Sequence, residues 1–279
     1  MTFPSKAQNC VVNYFAFTHL LIAAGAGVCV YTTGVVLGDA ENFIDPSLFI
    51  AMCTGLGYTV QRLLKMKISP SSMPVERLIF LRSWGGWLLA LWGVSVLAGA
   101  LWLDLVWGVA GIAGVTVIGI LGLGYAMVPK NWVHRMKALR EVPGLKLPLL
   151  SVVWGAATVV LPWMLTGATE WASGLFTITV ARTLYIAGLT IPFDLRDADL
   201  DNPSMKTLGQ TLNPRYTVIL AASLVILSGI LWISINQIWL AFHSLFTASI
   251  VLLSRKNAPE FFYSIILDGL LVVQLFGLL

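Results

Sequence analysis

Asp194, Asp197 and Asp201 stand at positions i, i+3 and i+7 within the string PFDLRDADLDNPSMKTLGQ, Pro192 to Gln210. If the helix that ends there runs on through them, this spacing aligns the three along one side, and Asp199 points elsewhere. Facing carboxylates repel one another unless cations lie between them. Hard oxygen ligands of this kind suit Mg²⁺, which commonly takes one or two carboxylates plus the phosphate oxygens of a substrate. The trio is therefore a candidate anchor for a metal and a diphosphate. The alternative is a helix end in water, with the aspartates partnered by Arg196, Lys206 and Arg215. Two features favour the anchor. The acids sit where basic residues are expected, and Pro203, Lys206 and Thr207 tie a short ordered loop beside them.

The elements that position these residues follow from composition. Of 279 residues, 58% are hydrophobic and only 11% charged, with a mean hydropathy of +0.85. That is too little charge to solvate a globule of this size, so the chain reads as an integral membrane protein. Spanning segments must be helices or a closed barrel, and continuous apolar runs exclude the alternating pattern of a barrel. The fold expected is all-α, a single transmembrane helical domain over residues 1–279. At roughly 20 apolar residues per span, polar punctuation divides it into about nine helices. These fall near 11–37, 46–64, 78–101, 104–128, 147–167, 171–193, 216–235, 237–253 and 260–279. The first is read as a span rather than a cleaved signal because further spans follow it. Cys10, Cys29 and Cys53 have no metal-ligand spacing and read as small buried hydrophobes.

Charge sets the orientation. With the amino terminus inside, every one of the 17 Lys and Arg residues except Arg182 falls on the inner side, and Asp39, Glu41, Asp45, Asp104 and Glu170 fall outside. The location expected is a bacterial cytoplasmic (inner) membrane. A net charge of +4 held at one face points to anionic lipid or an anionic substrate, not to nucleic acid. No soluble domain or internal repeat is visible, which argues against a transporter built from inverted repeats.

The string DLRDADLDNPSMKTL resembles the second aspartate motif of the UbiA-type intramembrane prenyltransferase superfamily, D-x-x-D-x-x-x-D followed by Lys-Thr, in the loop after the sixth of nine helices. PGLKLP, Pro143 to Pro148, is similar to the P-x-L-K segment that opens the family's fifth helix. The resemblance implies a UbiA-like bundle that transfers a prenyl group from a polyprenyl diphosphate to a lipid-soluble acceptor, often aromatic, with Mg²⁺ as cofactor. It also implies Asp194, Asp197 and Asp201 as metal ligands and Lys146 and Lys206 as diphosphate contacts. The leaving diphosphate needs metal or cationic side chains to stabilise it as the C–O bond breaks.

The family's first motif, N-x-x-x-D-x-x-x-D or a shortened N-x-x-D, belongs where the second helix meets the inner face. There this chain has YTVQRLLKMK, with Thr59 in place of Asn and Gln61 in place of Asp. Arg62, Lys65 and Lys67 instead add positive charge. Arg62 is a candidate for holding the diphosphate directly through its guanidinium, or an ordinary inner-face base. The departure leaves a second reading open: a catalytically degenerate relative that binds an isoprenoid lipid or scaffolds membrane enzymes. Within the spans, Asn13, Gln61, Arg182 and Asp268 are candidate cavity-lining residues, and Arg182 with Asp268 is expected to pair across two helices, since either charge alone is costly in hydrocarbon. His19 and His243 read as hydrogen-bonded packing residues, and most of the 11 tryptophans as interface anchors.

Overall fold

The computed structural model describes residues 16–68, 70, 73–126, 144–166, 174–201 and 206–277, and among them every regular element is helical. Helix α1, Leu20–Leu37, stops at Gly38, whose left-handed φ of 76° lets the chain turn back and cap the last carbonyls. A 3₁₀ turn, Glu41–Phe43, then starts α2, Ile44–Ile68. The segment α3, Val75–Ala126, consists of two helical stretches joined end to end at Gly108, whose φ of 58° and ψ of −161° are not helical. The sequence placed that division at Trp102 to Asp104. The break falls at the glycine instead, because only a residue without a Cβ takes that conformation readily.

Helix α4, Lys146–Leu165, contains a π turn at Ala156–Val160. Helix α5, Leu175–Asp197, carries Pro192 close to its end, and a single turn, Leu208–Thr211, follows. Helix α6, Pro214–Ser234, is capped by the Asn213 side chain, which accepts from the Arg215 amide. Helix α7, Ile238–Val251, follows a turn at Asn236, and α8, Phe262–Gly277, opens with a second π turn, Phe262–Leu267.

Six segments are long and apolar enough to cross a bilayer: Leu20–Leu37, Glu41–Ile68, Val75–Trp102, Lys146–Leu165, Leu175–Asp197 and Pro214–Ser234. Helices α7 and α8 are shorter apolar helices. The chain is an integral membrane protein with large apolar side chains such as Trp87, Val94, Leu97 and Phe242 on its outer surface, where lipid would cover them. Inside, α5 packs on α4 and α6, and α1 packs on α2 and α8. Cys29, Val30, Ile191, Val225, Tyr263 and Leu267 are fully buried between these elements. Cys29 and Cys53 are both free thiols.

The expected pairing of Arg182 with Asp268 does not form. Arg182, 2% exposed, donates to Gln274 Oε1 at 2.7 Å and to the Cys29 carbonyl at 3.2 Å, and its guanidinium lies 5.8 Å from the Trp232 ring centroid. Depth explains the choice. At ~1.5 Å per residue, Gln274 lies about 21 Å along α8 from Glu260, close to the level of Arg182, whereas Asp268 lies only about 12 Å along. A neutral amide, a thiol and a backbone carbonyl thus take the two terminal nitrogens of a charge buried deep in the bundle, while its Nε is left without a hydrogen-bond partner.

Candidate functional site

Helices α1, α2, α3 and α4 enclose a largely apolar cavity of about 290 Å³. On α2 it is lined by Ile50, Cys53, Gly57 and Gln61, a stripe at helical spacing. On α4 the lining is Leu150, Val153 and Ala157, the last within the π turn. Continued one turn back, the α4 stripe reaches Lys146. The continuation on α2 is Gln61, followed by Arg62. The slot is therefore apolar along its length and polar at the end where α2 finishes and α4 begins.

At that end Lys146 joins α4 to α5. Its Nζ lies 2.7 Å from Asp194 Oδ1 and 2.8 Å from Asp201 Oδ2. The contact with Asp201 also has the angles of a hydrogen bond, whereas the buried Asp194 Oδ1 meets the ammonium as an ion pair off those angles. Asp194 is 2% exposed. The loop that returns Asp201 to Lys146 is fastened by Gln210, whose amide donates to the carbonyls of Ala198 at 3.2 Å and Asp201 at 3.0 Å. The same side chain accepts from the Thr207 amide, completing a capping box. Gly209 lets this turn lie directly on the Asp194 carbonyl, where a Cβ would collide with the backbone.

Asp197 is turned away from this pair. Arg196 grips it with two hydrogen bonds, Nε to Oδ1 at 2.7 Å and Nη2 to Oδ2 at 3.1 Å. Arg196 also reaches Glu260 Oε2 at 3.3 Å, and Glu260 Oε1 accepts from Arg77 at 2.5 Å and from Ser264 at 2.8 Å. Aromatic faces steady the guanidinium groups: Arg196 lies 5.2 Å from the Phe193 ring centroid and 5.1 Å from that of Tyr263, and Arg77 lies 4.8 Å from that of Phe17. Asp268 sits in the field of Arg196, Arg77 and Arg62. Arg62, partly buried, feels Arg196, Asp197, Tyr58 and Glu260, yet no carboxylate of a described residue stands within ion-pair distance of it.

These positions correct several expectations. Asp194, Asp197 and Asp201 do not face one cation together, because the neighbouring guanidinium of Arg196 captures Asp197. Among the described residues no group of three or more His, Cys, Asp or Glu side chains is arranged to hold a metal. Two carboxylates do converge, and both point at an ammonium. A set of two, with one buried oxygen that lacks a directed hydrogen bond, fits one Mg²⁺ if phosphate oxygens complete the shell, and fits none on protein ligands alone. Lys146 holds the aspartates rather than standing free. Lys206 is exposed with a φ of 46° and makes no ion pair with them among the described residues. Gln61 lines the cavity, whereas Arg182 and Asp268 are absent from its lining, and Asn13 lies outside the described residues. Glu260, Gln210 and Gly209 were missed from sequence. The T-x-x-Q spacing of Thr207 and Gln210 was a readable capping signal. Nothing local marks Glu260, whose partner Arg77 lies 183 residues away.

No protein-family model matches this chain, and no curated protein matches it in sequence. Solved structures do match its fold. A UbiA homolog from Archaeoglobus fulgidus, bound to GPP and Mg²⁺, superposes with a TM-score of 0.59 at 13% identity, covering 94% of this chain and 99% of that one. A digeranylgeranylglyceryl phosphate synthase gives a TM-score of 0.50 at 12% identity, covering 93% of each chain.

Proposed function

We propose that this chain, which has the UbiA-like fold, binds a prenyl diphosphate and transfers the prenyl group to a lipid-soluble acceptor within the membrane. The observation that carries this reading is an apolar slot ending at a cluster of cations and carboxylates, a shape made for an amphiphile with an anionic head. At about 290 Å³ the slot is close to the lower end of the ~300–1,000 Å³ typical of small-ligand pockets, which suits a short isoprenoid tail. That the UbiA homolog of similar fold is bound to GPP and Mg²⁺ supports the same ligand class.

In this reading the tail lies against Cys53, Gly57, Leu150 and Val153, and the diphosphate rests between Lys146 and Arg62. Arg62 offers a planar fork of donors to phosphate oxygens. Transfer begins when the C1–O bond breaks and its electron pair leaves with the diphosphate. Fixed cations at the mouth stabilise the charge that develops there. The allylic cation is then attacked by the acceptor, a new bond to carbon forms, and the acceptor's proton passes to water at the mouth. When bound, Mg²⁺ on Asp194 and Asp201 supplies further neutralisation of the leaving group. The apolar walls keep water from capturing the cation. The charge bias of the loops in the sequence supports a cytoplasmic position for this mouth.

A second reading, an isoprenoid-lipid holder without turnover, draws on α2, where Gln61 stands in place of an aspartate and Arg62 adds positive charge. The two are separated by incubating protein in lipid nanodiscs with radiolabelled geranyl diphosphate and a total membrane-lipid extract. Pyrophosphate release with label appearing in a new lipid, lost in Arg62→Ala, is the expected result. Saturable binding without release would establish the second reading, and no binding would remove both.

A further inference from the structure

We infer that Lys146 is a tethered placeholder for the metal: in the ligand-free protein its ammonium occupies the place between Asp194 and Asp201, and it gives way to a divalent cation only when that cation arrives with a diphosphate. The inference rests on the reading of this site as a diphosphate pocket and concerns how the pocket is loaded.

The geometry points to exchange in three ways. One ammonium lies within 2.8 Å of a carboxylate oxygen from each aspartate, so the two oxygens are already spaced around a single cation. The Asp194 oxygen is buried, unmet by a properly directed hydrogen bond, and belongs to a side chain only 3% exposed. The ammonium meets it as an ion pair at 2.7 Å but off the favoured hydrogen-bond angles, whereas an ion of higher charge can hold both oxygens with no angular demand on a hydrogen. Among the described residues only these two carboxylates converge on the ammonium, since Asp197 is held by Arg196. A hydrated divalent ion meeting two protein oxygens and a competing ammonium has little to gain. Phosphate oxygens change the balance. They complete the metal's shell, and they offer the displaced ammonium new acceptors.

Lys146 is well placed to make that move. It stands at the first position of α4, on the stripe that continues into Leu150 and Val153, so a rotation about its flexible stem carries Nζ toward the mouth of the slot. Without ligand, the ammonium keeps the two carboxylates from repelling each other and prevents the site from trapping free metal. With ligand, the same charge joins the neutralisation of the leaving group. Metal and diphosphate then bind in mutual dependence, each raising the other's affinity by the same factor.

Mn²⁺ titration of the purified protein, followed by electron paramagnetic resonance, tests this directly. For wild type the expected spectrum without ligand is that of free ion, with protein-bound Mn²⁺ forming only on addition of geranyl diphosphate. Lys146→Met should bind Mn²⁺ without any diphosphate, at least about tenfold more tightly than wild type, a difference of ~1.4 kcal/mol. Lys146→Arg, which keeps a tethered cation, should restore the wild-type pattern. Tight Mn²⁺ binding to ligand-free wild type, or equal Mn²⁺ affinities in wild type and Lys146→Met, would overturn the inference. So would geranyl diphosphate that binds wild type equally well in chelator and recruits no metal. The wild-type arms decide the matter even if Lys146→Met does not fold. If geranyl diphosphate binds under no condition, the pocket reading itself fails, a result distinct from the others.

Discussion

Glu260 holds two guanidinium groups from different helices, and the mouth of the bundle depends on it. Replacing it with glutamine leaves Arg77 and Arg196 close together with no anion between them. Removing one member of a fully buried pair costs ~3–5 kcal/mol, and with 22% of the Glu260 side chain exposed the loss expected for Glu260→Gln is about 2 kcal/mol. A lowered melting temperature in detergent would register it. Arg62→Ala should differ: near-normal stability, but geranyl diphosphate affinity weakened about 10- to 100-fold, the loss of ~1.5–3 kcal/mol expected for a charge-assisted hydrogen bond. Equilibrium binding separates the two variants. At this scale the sequence was legible in part. The acidic cluster announced itself by residue type and spacing. Its partners did not, because Lys146 lies 55 residues from Asp201 and no local pattern encodes that meeting. The helical spacing also suggested three equivalent aspartates, and an arginine one position before Asp197 removed one of them from the set.

Among the elements, α5 is the post to which the site is fixed. It carries Asp194 and Asp197, packs along α6 through Gly188, and receives the Leu208–Thr211 turn through Gly209. A Cβ at Gly188 would collide with the Ala221 carbonyl and Val225, so Gly188→Leu should separate α5 from α6 at a cost of about 1–3 kcal/mol, measurable as a fall in melting temperature. Gly209→Ala acts more locally. It should push the turn off Asp194 and weaken diphosphate binding more than it lowers stability, which paired melting and binding measurements would separate. Hydropathy revealed the apolar segments because each must bury its backbone polar groups in helix as it crosses lipid. It did not reveal the π turns at Ala156–Val160 and Phe262–Leu267, nor that the α3 break belongs to Gly108. Such features arise from how one helix accommodates another, and apolar residues of similar size carry no mark of them.

For the whole molecule, the proposed function joins a lipid-like slot to a charged mouth, and each half should be removable without the other. Gly57 lines the slot, and nothing lies within 4 Å of a Cβ built there, so Gly57→Leu projects into the cavity rather than into a neighbouring helix. That variant should bind geranyl diphosphate about tenfold more weakly, ~1.4 kcal/mol, while inorganic pyrophosphate binds as before. Equal losses for both ligands would mean that the slot does not receive the tail. The most direct test of the account is an experimental structure of the protein with geranyl diphosphate and Mg²⁺. The account predicts the diphosphate within hydrogen-bond distance of Lys146 and Arg62, one metal on Asp194 and Asp201, and the geranyl chain between α2 and α4. A ligand bound elsewhere, with Lys146 still clasped by both aspartates and the slot unfilled, would contradict it.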